Sequence, residues 1–199
     1  MIHPDTEIRF VSEEIGVGVF ATKLIPKGTI VWALDELDMI LDEEYIESLD
    51  PLRREIIYKY SYLNDDERYV LCWDHARYMN HSFLPNVVST VYEIELAARD
   101  ILPGEQLTCD YATLGLDEPF ECVPEEGSFR TTIKPDDYLY LYKDWDELAR
   151  EAFKQFNHVD QPLYHLIKPE FVEKVQAIAD GRIEMDSFST LFEEDVDST

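Results

Sequence analysis

Cysteine is scarce in this chain. Cys72, Cys109 and Cys122 are the only three among 199 residues. They are scattered and form no CxxC pair, which argues against a disulfide framework and a cysteine zinc site. Basic residues are also few, with 17 Lys and Arg against 43 Asp and Glu and a formal net charge of −26. So acidic a chain would be repelled by a phosphate backbone, so no direct nucleic-acid partner is expected. No apolar run is long enough for a membrane span. The start, Met1-Ile2-His3-Pro4-Asp5, has neither a basic region nor an apolar run, so no signal peptide is expected. Together these absences predict an intracellular protein, cytoplasmic or nuclear, in a reducing compartment.

What is present can build a core. Hydrophobic residues make 45% of the chain and aromatics 13%, enough for one domain with a modest extension. The acidic excess fits a basic protein partner with a Lys-rich segment, because a negative surface steers cations toward it. It also fits a plain role in solubility.

The first third reads as strands. Ile8 to Val11 is short and mixed, and Val17-Gly18-Val19-Phe20-Ala21 carries a Gly where bare backbone can approach a ligand or another strand. Ile25-Pro26-Lys27-Gly28 is a turn, and β-branched Thr29 to Ala33 is a buried strand. A short pattern repeats: Ala21-x-Lys23-x-Ile25-x-x-Gly28 matches Ala97-x-Arg99-x-Ile101-x-x-Gly104. Residues 43–62 read as a helical insert, with Asp50 as N-cap, Pro51 at the first position, and Leu52, Ile56 and Tyr60 on one face. Among Tyr58, Tyr60 and Tyr62, one could line a channel. Strands are predicted at 68–73, 87–92, 94–98 and 106–111. Residues 115–137 look like a loop. Helices are predicted over 143–157, with Leu148, Ala152 and Phe156 apolar, and over 168–180, stopped by Gly181. Beyond these, 193–199 is an acidic tail expected to fray.

One stretch is neither a polar loop nor an apolar core segment: Arg77-Tyr78-Met79-Asn80-His81-Ser82-Phe83-Leu84-Pro85-Asn86. Asn80 and His81 are short, directional groups that suit recognition of a flat polar ligand edge, or cross-bracing of irregular backbone. Upstream lies Gly16-Val17-Gly18-Val19-Phe20-Ala21, and downstream Gly104-Glu105-Gln106-Leu107-Thr108-Cys109-Asp110-Tyr111. The three, in this order, resemble the SET domain of protein lysine methyltransferases, over roughly residues 8 to 111.

The resemblance implies a mostly β fold with α additions. This is a β-clip of small curved sheets, with a knot-like threading of the Asn80 segment under the loop after Gly104. It implies a SET domain over 1–114 with its variable insert near 43–62, a post-SET-like loop at 115–137, and a helical extension at 138–199. The family's zinc cysteines are missing: Phe83 stands at the one in the Asn80 motif and Pro124 and Phe129 at those of the loop, and as only Cys122 remains no metal is expected. The helical extension would replace that segment as a lid over the cofactor.

The implied activity is lysine N-methylation with S-adenosyl-L-methionine as cofactor. Gly16, Val17, Gly18 and the backbone of Val19 would hold the cofactor's amino-acid end. Arg77 and Tyr78 would flank it, while Asn80 would hydrogen-bond it, as would His81 through main-chain atoms at the adenine. Tyr111 would be the catalytic tyrosine, orienting the reactants through its hydroxyl. Cys109 stands where many members have Phe or Tyr, which would leave room for more than one methyl. The alternative to an enzyme is a non-catalytic SET-fold module that binds basic proteins.

Overall fold

A computed structural model describes residues 1–64, 66–116 and 118–191; the acidic tail at 193–199 lies outside the described residues. The chain opens with an antiparallel hairpin, β1 (Thr6–Ser12) and β2 (Gly16–Ala21). Then come β3 (Ile30–Ala33), β4 (Met39–Leu41), helices α1 (Glu43–Glu47) and α2 (Pro51–Tyr60), β5 (Ser61–Leu63) and β6 (Tyr69–Leu71). Four short strands follow: β7 (Asn80–His81), β8 (Val87–Ser89), β9 (Ile94–Ala97) and β10 (Thr108–Cys109). A small hairpin, β11 (Phe120–Glu121) and β12 (Thr132–Ile133), precedes helices α3 (Tyr138–Phe153) and α4 (Pro169–Ala179).

The strands make small sheets. β3-β9-β8 and β4-β6-β5 are antiparallel, and β7 runs parallel to β10. The β3-β9-β8 sheet is covered on both faces. Ile94 and Leu96 of β9, with Ile30, Ala33 and Val88, pack on Trp145, Ala149, Ala152 and Phe153 of α3. Period-two alternation sends Ala97, Val31, Trp32 and Val87 to the other face, where they meet Val19, Ile101, Leu107 and Cys109. The register shifts between Ile30 and Trp32, so one extra residue is accommodated and Val31 and Trp32 share that face.

The repeated pattern pairs with itself. Ile25 and Ile101 exchange N–H···O bonds at 2.9 Å in both directions. Gly28 N–H donates to Ala97 O at 2.8 Å, and Gly104 N–H donates to Ala21 O at 2.7 Å. The next bonds are also reciprocal: Ala21 N–H to Glu105 O and Ala97 N–H to Thr29 O, both 2.9 Å. Both glycines have positive φ, +87° at Gly28 and +85° at Gly104, as the tight turns require. This local two-fold joins the front of the chain to the strand entering Tyr111.

The helices depart from expectation in detail. Asp50 does cap α2, accepting from Arg53 N–H at 3.1 Å. The face it buries is a different one, however. Ile57 packs with Leu41 and Ile46, while Leu52 and Ile56 face solvent, because only one side of α2 meets α1 and β6. The insert ends in a strand, and Tyr62 pairs with Val70. Helix α3 starts at Tyr138 instead of 143, and Phe156 is buried in the 3₁₀ turn beyond its end. The strand expected over 106–111 is shorter, because Tyr111–Thr113 forms a 3₁₀ turn.

Candidate active site

Three distant segments close on one another around backbone contacts. Asn80 Nδ2 donates to Val17 O at 3.0 Å, tying β7 to β2. Gly18 makes the approach possible: a Cβ there would stand 2.7 Å from Asn80 Nδ2 and 2.9 Å from Gln106 Oε1. Asn86 acts as a side-chain strand. Its Nδ2 donates to Gln106 O at 2.8 Å and its Oδ1 accepts from Thr108 N–H at 2.9 Å. Its own carbonyl accepts from Ala98 N–H. A buried side-chain amide that satisfies two backbone groups fixes the path of 80–86 beside β10.

Tyr111 is positioned by its neighbours on that path. Its N–H donates to His81 Nδ1 at 3.2 Å, and its hydroxyl donates to Met79 O at 2.8 Å. The acceptor role of Nδ1 puts the proton of neutral His81 on Nε2, which is buried without a partner. Burial holds the imidazole below its ordinary pKa, against the pull of Asp110. Burial also pushes the Tyr111 phenol well up, so it stays protonated at neutral pH. Asp110 caps the Tyr111 turn through Ala112 N–H at 3.1 Å and receives Arg130 Nη1 at 2.6 Å. Arg130 also lies over the Phe83 ring at 4.6 Å and reaches Asp137 at 2.8 Å. Glu125 accepts from Ser82 Oγ at 2.6 Å and from Phe83 N–H at 2.7 Å. Residues 115–137 are thus fastened to the motif by ions and hydrogen bonds. Among the described residues no cluster of three His, Cys, Asp or Glu could hold a metal.

A cavity of about 910 Å³ opens beside these residues. Gly16, Val17, Arg77, Tyr78, Asn80 and Tyr111 line it, so six of the nine residues singled out in the sequence meet there. Gly18, Val19 and His81 do not line it. Val19 is fully buried and its carbonyl is taken by Leu107 N–H, while the His81 ring is wedged between Phe83 and Tyr111. The wall is aromatic. Trp32 meets Tyr62 edge-on at 6.0 Å, and Tyr60 meets Tyr78 at 5.3 Å. Phe188 and Leu191 complete it from the far end of the chain, where Asp146 of α3 holds Ser187 Oγ at 2.6 Å and Phe188 N–H at 2.8 Å.

Sequence reasoning missed three residues here. Trp32 reads in the sequence only as a residue of a buried strand, and Asn86 only as part of the motif. Glu95 carries no signal of its own in the motifs, though it is one of the residues lining the cavity. The single polar letter between Ile94 and Leu96 was the available signal.

No curated protein matches the chain at a significant level. Among solved structures, a Plasmodium falciparum protein described as a "putative histone methyltransferase" is similar at 19% identity. The match covers 55% of this chain and 95% of that one, with a TM-score of 0.40. The model of the SET domain family matches residues 16–112, the span from the first glycine of β2 to the turn that carries Tyr111. That span of the chain belongs to the SET domain family.

Proposed function

We propose that the protein is an S-adenosylmethionine-dependent protein lysine N-methyltransferase acting on a Lys-rich segment of a basic protein, histone-like tails included. The observation that carries this reading is the convergence of the β2 glycine strand, the Arg77–Asn80 stretch and Tyr111 on one aromatic-walled cavity. The residues fit the cofactor. Gly16 brings a residue without a side chain to the wall, and Arg77, whose Nε is buried with no partner, lines it too. When bound, S-adenosylmethionine supplies an electrophilic methyl group on a sulfonium.

The chain's own residues bind and align. Gly16 and Val17 would hold the amino-acid end, with Arg77, Tyr78 and Asn80 alongside, while Gly18 lets β2 approach the Asn80 segment. His81 does not line the cavity, and its part in this reading is to position Tyr111, whose N–H donates to its ring. The neutral Tyr111 hydroxyl, anchored on Met79 O, would orient the amine. Aromatic walls exclude water and disfavour an ammonium, so they favour the neutral nucleophile. Holding the two reactants in line can lower the barrier by about 7–11 kcal/mol. The Cys109 thiol, smaller than an aromatic ring, leaves room for an amine that already carries a methyl. In this reading residues 80–86 are the threaded segment, residues 138–191 form the lid, and the acidic surface gathers basic substrates inside the cell.

The test is calorimetric binding of S-adenosylmethionine, followed by transfer of labelled methyl to mixed basic proteins. Tyr111→Phe should retain cofactor binding and lose about a hundredfold or more in kcat. A wild-type protein that binds no cofactor, or a Tyr111→Phe variant with unchanged kcat, would refute the proposal.

A further inference from the structure

Among the described residues two carboxylates line the cavity, Glu93, which is paired with Lys168, and Glu95, which has no task in the reading above. It sits in the middle of β9, opposite Trp32 of β3 and Ser89 of β8, and is only 7% exposed. Alternation along β9 puts it on the Ala97 face, the one directed at Cys109 and Leu107 rather than at α3. Ser89 Oγ donates to Glu95 Oε1 at 2.9 Å. The same hydroxyl lies 3.1 Å from Thr113 Oγ1, on the turn that carries Tyr111. Glu95 Oε2, by contrast, is buried with no partner, and so is Trp32 Nε1 on the neighbouring strand.

A buried carboxylate oxygen without a donor is costly. The residue itself is one of those lining a space walled by Trp32, Tyr62 and Tyr111, with Oε2 covered behind that wall. A negative oxygen beside an apolar wall matches a cationic amine on an apolar stem, with charge holding the amine at the carboxylate and the stem packing on the rings.

We propose that Glu95 receives the substrate's amino group: Oε2 binds the ammonium at the end of an alkyl chain and takes one proton from it. The N–H bond breaks, an O–H bond forms at Oε2, and the electron pair stays on nitrogen. The carboxylate and ammonium charges cancel, and a neutral nucleophile remains in the cavity. This assignment rests on the methyltransferase reading for the step that follows. Burial pushes the Glu95 carboxyl up to about 7, the range in which it can hold and return a proton near neutral pH. Around it Tyr62, Cys72, Cys109 and Tyr111 are all pushed up by burial and stay neutral. The Met1 ammonium favours the charged carboxylate, and Glu93, also in the wall, is paired with Lys168.

The experiment is calorimetric titration of the full-length protein with n-butylammonium chloride and, as uncharged counterpart, n-butanol. At pH 8 the wild type should bind n-butylammonium at least tenfold more tightly than n-butanol. The preference should shrink at pH 6, where the carboxyl is protonated, a measurement that depends on no variant. Glu95→Gln should lose the preference. A wild-type preference that is absent or grows at pH 6, or one retained in full by Glu95→Gln, would overturn the assignment. Cofactor binding and methyl transfer are followed separately. Amine preference without any methyl transfer removes the methyltransferase reading and leaves Glu95 as an amine site. Methyl transfer whose pH profile is the same in Glu95→Gln removes the assignment and leaves the reading.

Discussion

Replacing Glu95 by Gln should change how stability depends on pH. In the native state burial raises the Glu95 carboxyl from 4.5 to about 7. Between these values the native protein keeps the proton, while the unfolded chain has released it. Wild-type stability is therefore full below pH 4.5 and falls as pH rises through about 7. The two values differ by about 2.5 pH units, and at 1.36 kcal/mol each the loss is about 3 kcal/mol. Gln cannot ionise, so the variant lacks this loss. Its carbonyl can still accept from Ser89 Oγ. Its amide adds a fixed cost that does not vary with pH. The variant should thus gain on the wild type by about 3 kcal/mol across the window, most of it between pH 5 and 8. Urea unfolding at several pH values measures this. With slopes of about 1–3 kcal/mol per molar, the midpoints should diverge by about 1–3 M. Every other acidic group acts on both proteins alike, so the difference isolates Glu95. Stability curves that run parallel from pH 5 to 8 would refute the reasoning.

Three further substitutions probe the frame. Gly18→Ala places a Cβ 2.7 Å from Asn80 Nδ2 and should cost about 1–3 kcal/mol in urea unfolding. Cofactor affinity measured by calorimetry should weaken alongside it. Asp146→Ala frees Ser187 and Phe188, two hydrogen bonds to a charged group. Opening of the segment should then rise at least tenfold, read as faster trypsin cleavage at exposed Arg182. Arg130→Ala strips Asp110, which is 4% exposed, of its cation, and should destabilise the protein by about 2–4 kcal/mol. That value sits toward the low side for a buried pair, because the guanidinium is partly wet.

Much of the site was legible because its chemistry is local. The Ala-x-x-x-Ile-x-x-Gly repeat could be read in one dimension, since each copy needs the same turn glycine and the same apolar anchor. Asn80 and His81 were legible as oddities, and the structure assigns both side chains to bracing: one holds Val17 O, the other Tyr111 N–H. The role of Asn86 was out of reach, because its partners at 106 and 108 lie twenty or more residues away. The buried face of α2 was also out of reach. Leu52 and Ile56 have the right spacing, but position along the sheet edge, not spacing, decides which side meets β6.

Glu95 escaped for a related reason. Ile94-Glu95-Leu96-Ala97 alternates as a strand with one wet face would, and in such a strand a Glu points at solvent. That inference fails here because the sheet is covered on both sides. All four residues of β3 and all four of β9 are buried, by α3 on one face and by the Gly18 and Tyr111 segments on the other. A polar letter in an alternating strand is therefore ambiguous until the second layer is known. Once it is known, the same letter marks a deliberate expense: an apolar residue in place of Glu95 would remove the orphaned oxygen and the pH-dependent loss that goes with it. The chain keeps the carboxylate where a cavity, an aromatic wall and an uncommitted indole N–H meet. These are the surroundings in which an ammonium ligand would offset the cost of its burial.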